Sequence, residues 1–377
     1  MPTQISHSPG TNFTRPLDPR TLTVRSRSEQ AVDPYIVDPL SDRRWDDLVA
    51  RHPSASVFHQ RGWLEALHRT YGYAPFVLTN ARPGEPLKDG IVLCRISSWL
   101  TGTRLVSLPF ADHCEPLLNA DGDAANLMEW LYAEHQRQHC RYVEVRPLFT
   151  LEHTAERMRP SHTYCFHTLD IRPQESQLFA RLHKDSIQRK IRRADRERLS
   201  YEAGRSEQLQ DEFYRLLLTT RRRHRLPPQP RVWFRNLVEC MGDQVVIRVA
   251  RKNGTAIAAV LTARHGSTVV YKYGCSDERF HNLGGMPLLF WRLIQESKSS
   301  GVDTIDFGRS DLDNEGLIVF KDHWGTTRTC LTYYRYPASK QAPSLSSSDS
   351  RVFRGVFALL PDAFLSLAGR LLYRHMG

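Results

Sequence analysis

Two short runs hold most of the residues whose types can do chemistry. Asp306-Phe307-Gly308-Arg309-Ser310-Asp311 sets two carboxylates and a guanidinium at the end of a strand pattern. Asp306 or Asp311 there can orient or deprotonate an attacking amine. Arg309 can clamp a phosphate or carboxylate in bidentate fashion. An internal ion pair that pins the segment accounts for these residues equally well. The second run, Phe320-Lys321-Asp322-His323-Trp324-Gly325, reads as a loop that holds a lysine among aromatics. Lys321 can neutralise a phosphate or a developing oxyanion, with Phe320 and Trp324 as groove walls. His323 offers a base, although a lone histidine is more often structural.

A third run precedes both. Tyr271-Lys272-Tyr273-Gly274 reads as a strand, and His281-Asn282-Leu283-Gly284-Gly285-Met286-Pro287 as the turn into a helix from Pro287 to about Lys298. Gly284 and Gly285 let the backbone come close to a ligand, and Pro287 suits the first helical position. Free N–H groups at that helix start attract an anion such as a pyrophosphate. The rival reading is a tight turn that needs glycine only for its geometry. Tyr271 and Lys272, on the strand before the turn, count with Phe320, Arg309 and Trp324 as substrate-binding candidates. The G-x-S-x-G, H-E-x-x-H and G-x-x-x-x-G-K-[ST] patterns are absent.

These runs need a scaffold, and the chain supplies one in two parts. Residues 1–31 are polar, contain proline and are expected to be disordered. Between residues 32 and 160, helices are expected at 41–51 (with Ser41 as N-cap), 57–71 and 124–139. Strands are expected at 76–79, 91–97, 105–108 and 142–146. Between 161 and 337, helical patterns cover 175–182, 185–197, 206–223 and 231–240. The segment Leu226-Pro227-Pro228-Gln229-Pro230 interrupts them, because proline lacks the donor and blocks the preceding turn. Strands at 164–171, 245–251, 257–263 and 268–273 follow, with a Lys252-Asn253-Gly254 hairpin signal. Both parts put helices before a meander, then a helix and a strand. The fold class is therefore α/β (α+β), with two similar domains in tandem at 32–160 and 161–337. Residues 338–350 have linker composition, and 351–377 form a basic, apolar tail that suits either docking or a membrane surface.

Charge and cysteine usage narrow the partners. The net charge is +11. Residues 181–198 hold eight Lys/Arg against three acids, and residues 221–235 hold six arginines and no acid. Those two segments account for the whole excess, which implies an anionic partner such as nucleotide phosphate, RNA or lipid; a solvated helix face is the plainer alternative. The seven cysteines are scattered without C-x-x-C spacing, as in reduced cytoplasmic proteins, and suggest neither a disulfide framework nor a zinc site. There is no run of 18 apolar residues and no apolar leader at the N-terminus. The expected location is cytoplasmic.

From about Ser56 to Pro337 the chain resembles the FemAB-like branch of the GNAT-type acyltransferases, also described as BioF2-like acetyltransferase domains. The resemblance is closest to the FemAB-related proteins of bacterial PEP-CTERM and exopolysaccharide systems. It is carried by SVFHQRGWLEALHRTYG, LVSLPFADHCEPLL, HKDSIQRKIRRA, YKYGCSDERFHNLGGMPLLFWRLIQESKSSG, DFGRSD and GLIVFKDHWG. It implies two tandem GNAT-like domains and transfer of an acyl or aminoacyl group to an amine or hydroxyl of a cell-envelope or exopolysaccharide precursor. The donor would be acyl-CoA or an aminoacyl-tRNA, with no metal. Phe320 and Lys321 match the family's Phe-Lys pair. The family's acyl-CoA loop, Gln/Arg-x-x-Gly-x-Gly/Ala, falls on His281 to Met286 and departs at both ends. It makes Gly284, Gly285 and Met286 the donor-binding candidates. A non-catalytic GNAT-fold protein that binds an anionic lipid-linked sugar or RNA is the alternative.

Overall fold

Alternating apolar residues along the strands build cores on both faces of a single sheet. Ala259, Leu261 and Ala263 of one strand join one core, while Ala258 and Val260 join the other. A strand covered on both faces must be apolar on both, so its sequence reads as a continuous apolar run. The structure is a computed structural model that describes residues 33–99, 102–119, 124–149, 157–338, 369 and 371–375. The expected disordered N-terminus lies outside the described residues. So do the linker beyond residue 338 and most of the tail.

The first half contains β1 (Tyr35–Val37), α1 (Arg43–Arg51), α2 (Arg61–Tyr71), β2 (Ala74–Thr79), β3 (Ile91–Ser98), β4 (Gly102–Val106), α3 (Ala124–Arg137) and β5 (Val143–Val145). β6 (Arg159–Asp170) closes the first half, and the second contains α4 (Glu175–Arg181), α5 (Arg189–Arg196), β7 (Ser200–Gly204), α6 (Glu207–Arg223), α7 (Arg231–Met241), β8 (Val245–Lys252), β9 (Thr255–His265), β10 (Thr268–Ser276), α8 (Gly285–Ser299), β11 (Thr304–Asp311), α9 (Glu315–Asp322) and β12 (Thr327–Tyr336).

The twelve strands lie in the order β1-β2-β3-β4-β5-β12-β6-β11-β10-β9-β8-β7. Each half repeats one plan. Four strands pair antiparallel in sequence, with two helices between the first and second. A fifth strand then pairs parallel to the fourth. A parallel step needs a crossover, and α3 and α8 supply it. The last strand of each half is exchanged. β6 follows β5 in the chain but lies beside β11, while β12 lies beside β5. The sheet is thus continuous, and the expected boundary near residue 160 falls at the start of β6.

One core gathers α1, α2, α6 and α7, with Trp63 and Trp233 edge to face at 5.3 Å. The opposite face carries α4, α5 and α8 over the second half and α3 over the first. Local chemistry corrects several sequence expectations. Asp42, not Ser41, caps α1 through the Arg44 N–H. The 57–71 pattern is a 3-10 turn at Val57–His59 followed by α2. Asn253 and Gly254 both take positive φ, as the hairpin signal requires. Pro287 occupies the third position of α8 rather than the first. The Phe320-Lys321-Asp322 run closes α9 instead of forming a loop.

Candidate functional site

The site grows from a place where two parallel strands part. β10 and β11 pair only from Thr268↔Thr304 to Val270↔Asp306. Both strands bulge just beyond, β10 between Tyr271 and Tyr273 and β11 between Asp306 and Gly308. A bulge re-aims side chains and ends pairing. Gly308 takes φ +70°, a conformation costly for any residue with a Cβ. One Asp306 carboxylate oxygen accepts the Gly308 N–H at 2.6 Å, and the other meets His113 Nε2 at 2.9 Å. Lys321 reaches the same bulge from α9. Its Nζ donates to the carbonyl oxygens of Gly308 at 2.9 Å and Arg309 at 3.0 Å. Burial pushes the Lys321 ammonium down to about 8, against the pull of the Asp112 and Asp306 carboxylates.

The partners of this bulge come from the first half, on the segment between β4 and α3. Asp112 Oδ1 lies 3.0 Å from Lys272 Nζ and 3.8 Å from Arg309 Nε. A Cβ on residue 308 would stand 2.9 Å from Asp112 Oδ2. Burial raises the Asp112 pKa, but Lys272 and Arg309 outweigh it and hold the carboxyl below its usual range. Burial holds the Lys272 ammonium below its usual range, and its Nζ lies 5.3 Å from the Phe58 ring. The Arg309 guanidinium lies over Tyr164 at 4.1 Å and Tyr333 at 5.2 Å. Neither Asp112 nor His113 stands out in the sequence. An Asp-His pair inside an apolar stretch was the available signal.

A cavity of about 390 Å³ is lined by Gly316, Val319 and Phe320 of α9 but not by Lys321. Gly285 and Met286 at the start of α8 line it, with Phe320, His323, Lys190 and His281. The first N–H groups of α8 have no partner within the helix, and Gly285 and Met286 carry two of them. Gly284 does not line the cavity. It takes φ +86°, and a Cβ there would meet the Lys190 carbonyl oxygen at 2.2 Å, so glycine lets α5 close on α8. The two basic segments meet here. Lys190 comes from α5, and Arg223 Nη1, at the end of α6, lies 3.3 Å from His281 Nε2. Burial and then Arg223 hold His281 below its usual range. A π turn at Lys184–Gln188 gives Ser186 and Ile187 to the wall, and the His183 and His323 rings stack at 4.1 Å. Such turns often mark functional positions.

Other expected site residues fall elsewhere. Trp324 is fully buried among Phe290, Phe307 and Phe320, so its ring packs the core and forms no groove wall. Tyr271 packs edge to face on Phe290 at 4.7 Å. Asp311 is exposed at the end of β11. Part of the basic excess lies on solvated helix faces, as in the Arg189–Asp185 and Arg193–Glu197 pairs. The described part of the tail docks on the body. Tyr373 is buried, its hydroxyl donates to the Pro227 carbonyl at 3.2 Å, and the Tyr73 hydroxyl donates to the Tyr373 carbonyl at 3.0 Å. Among the described residues no helix is long and apolar enough to cross a membrane, and no cluster of three or more His, Cys, Asp or Glu is placed to hold a metal ion.

Comparison with known proteins places this architecture. The family model described as an acetyltransferase (GNAT) domain matches residues 181–318. No curated protein matches the sequence. Among solved structures, FemX is 13% identical and aligns over 78% of this chain and 95% of its own, with a TM-score of 0.63. The C-terminal domain of a putative lysylphosphatidylglycerol synthetase from Agrobacterium fabrum is 14% identical over 80% of this chain and 92% of its own, with a TM-score of 0.54. A tandem GNAT protein from the clavulanic acid biosynthesis pathway is 11% identical over 82% of this chain and all of its own, with a TM-score of 0.51. Residues 181–318 thus match a GNAT acetyltransferase domain model, and the chain as a whole shares the fold of FemX and of a tandem GNAT protein.

Proposed function

We propose that this chain is a FemAB-type acyltransferase that moves an acyl group from acyl-CoA to an amine or hydroxyl of a cell-envelope or exopolysaccharide precursor. One observation carries the reading. The start of α8, with Lys190 and the Arg223–His281 pair beside it, opens on a cavity that Ser276, at the end of β10, and Ile257 and Ala258 of β9 also line. The basic edge suits the donor's phosphates. The apolar wall of Ile257, Met286, Val319 and Phe320 suits its uncharged arm.

The transfer forms a bond from the acceptor nitrogen or oxygen to the carbonyl carbon and breaks the carbon–sulfur bond. The thiol leaves with the proton given up by the acceptor. Negative charge collects on the carbonyl oxygen, and Lys321 is the fixed cation assigned to it, with the reacting carbonyl placed beyond the cavity at the bulge where Gly308 and Arg309 hold the Lys321 Nζ. Its ammonium is already desolvated, so it needs little reorganisation as charge develops. Asp306 has both oxygens engaged by Gly308 and His113. Its role is to hold the bulge, and the exposed Asp311 is the carboxylate that faces an acceptor. In this reading the tandem halves at 32–160 and 161–337 share the acceptor between them.

An aminoacyl-tRNA, which the resemblance to FemAB-like proteins implies, is the rival donor. Both donors can be offered to purified protein with a panel of amine and hydroxyl acceptors, and label transfer followed. Lys321→Ala should lose transfer with an unchanged circular dichroism spectrum. Transfer near the wild-type rate in that variant would overturn the assignment. Binding of an anionic lipid-linked sugar or RNA, without transfer from either donor, would favour a non-catalytic role.

A further inference from the structure

β6 and β12 run side by side through the middle of the sheet, and their register sets Cys165 opposite Cys330. The register is regular here and shifts only later, between Tyr333 and Tyr334. Opposed residues of an antiparallel pair project to the same face, with Cα atoms about 4.5–5.5 Å apart. A disulfide spans Cα separations of roughly 4.4–6.8 Å. The next opposed pair on this face, Thr163 and Thr332, brings its hydroxyl oxygens to 3.4 Å. Opposed side chains therefore meet along this ladder.

The surroundings suit thiol chemistry. On the other flank the opposed pair is His167 and Arg328. His167 Nε2 faces the Asp322 carboxylate at 3.3 Å and donates to it, which leaves Nδ1, 3.8 Å from the Cys165 Sγ, as the proton acceptor beside the thiol. Burial holds the imidazole below its usual range, which leaves it neutral and able to take that proton. Burial holds the Cys165 thiol above its usual range, and Arg328 offsets part of that rise. Cys330 is exposed and Cys165 buried, so an attacking and a resolving thiol are distinguished by access.

We propose that Cys165 and Cys330 form a redox-active cross-strand dithiol that reacts with small disulfides such as glutathione disulfide. The Cys330 thiolate attacks one sulfur of the oxidant and releases one glutathione. The Cys165 thiolate then attacks the Cys330 sulfur and releases the second. The protein gives up two electrons and two protons, the oxidant takes them up as two thiols, and the new bond ties β6 to β12. These two strands come from different halves of the chain, so the bond fastens the strand exchange at its centre.

The test needs no assay of acyl transfer. Reduced full-length protein is incubated with glutathione disulfide under native conditions, free thiols are trapped with N-ethylmaleimide, and peptides are mapped by mass spectrometry. The expected product is a peptide pair joined through Cys165 and Cys330, two hydrogens lighter than its parts and released by dithiothreitol. Cys330→Ser, at an exposed position, should fold normally, form no joined pair and leave Cys165 reduced. Cys165→Ser should halt at glutathione on Cys330. Wild-type protein that keeps both thiols, stops at the mixed disulfide on Cys330, or joins Cys165 to another cysteine would overturn the proposal.

Discussion

Lys321 is the residue on which the chemistry turns, and its surroundings make its behaviour predictable. Removing a donor to a developing oxyanion costs about 10²–10³ in kcat, and Lys321→Ala should lose at least that much. Activity of the wild type should fall as pH rises through about 8, because the ammonium is lost there. A rate profile flat to pH 9.5 would contradict that role. The stability sign follows from the same shift. The folded pKa of about 8 lies below the ordinary lysine value of 10.5, so the unfolded chain binds more protons between those values. Stability must then rise with pH across that window. Relative to Lys321→Met, the wild type should gain up to about 3 kcal/mol from pH 7.5 to 10.5, measured by denaturant unfolding at each pH. The lysine was legible in the sequence as a cation among aromatics. Its partners were not, because two backbone carbonyls on a bulge leave no mark in residue types. Asp112 and His113 lie nearly 200 residues before the bulge they touch, beyond the reach of local spacing. His113→Gln should lower turnover without changing donor affinity, since it acts through Asp306 on the bulge, and a weakened donor Kd in that variant would count against this division of roles.

At the scale of elements, the sequence showed where helices and strands lie more readily than how they meet. The Gly284-Gly285 turn read as a ligand loop, yet its two glycines have different duties. Gly284 lets α5 pass close to α8, and Gly285 lines the cavity. Gly284→Ala places a Cβ against backbone and forces a left-handed conformation on a side chain, at a cost of at least about 1–2 kcal/mol. Its expected signature is a lower Tm together with weaker donor binding, as α5 is pushed outward. Trp324 illustrates the opposite error. Aromatics beside a lysine looked like a groove, but α9 turns the indole inward. Trp324→Ala should cost about 3–5 kcal/mol of stability and leave the KM of the soluble fraction near the wild-type value. The short strands β1 and β7 and the long β12 escaped the sequence reading. Their residues gain strand character only from pairing across the sheet, as β12 does between β5 and β6.

At the scale of the molecule, the repeated order of elements pointed to tandem halves, and the repeated sheet plan has that form. The exchange of β6 and β12 could not be read from the chain, since it depends on which strand edge each one finds. The exchange and the Asp112–Lys272 pair bind the halves into one site. Asp112→Ala leaves buried cations uncompensated and should destabilise by about 3–5 kcal/mol, read as a lower denaturation midpoint. Deleting residues 351–377 removes Tyr373 from its seat against Tyr73 and Pro227, and the Tm should fall. Liposome binding of the same deletion variant tests whether the tail also meets a membrane. The central claim is that the cavity beside α8 receives the acyl donor. The most direct measurement is calorimetric binding of acetyl-CoA to the wild type and to Met286→Trp, near physiological salt because charge-driven binding fades with salt. Saturable binding by the wild type, lost when the indole fills the cavity, is the predicted result. No binding by the wild type, or equal binding by both proteins, would contradict the account.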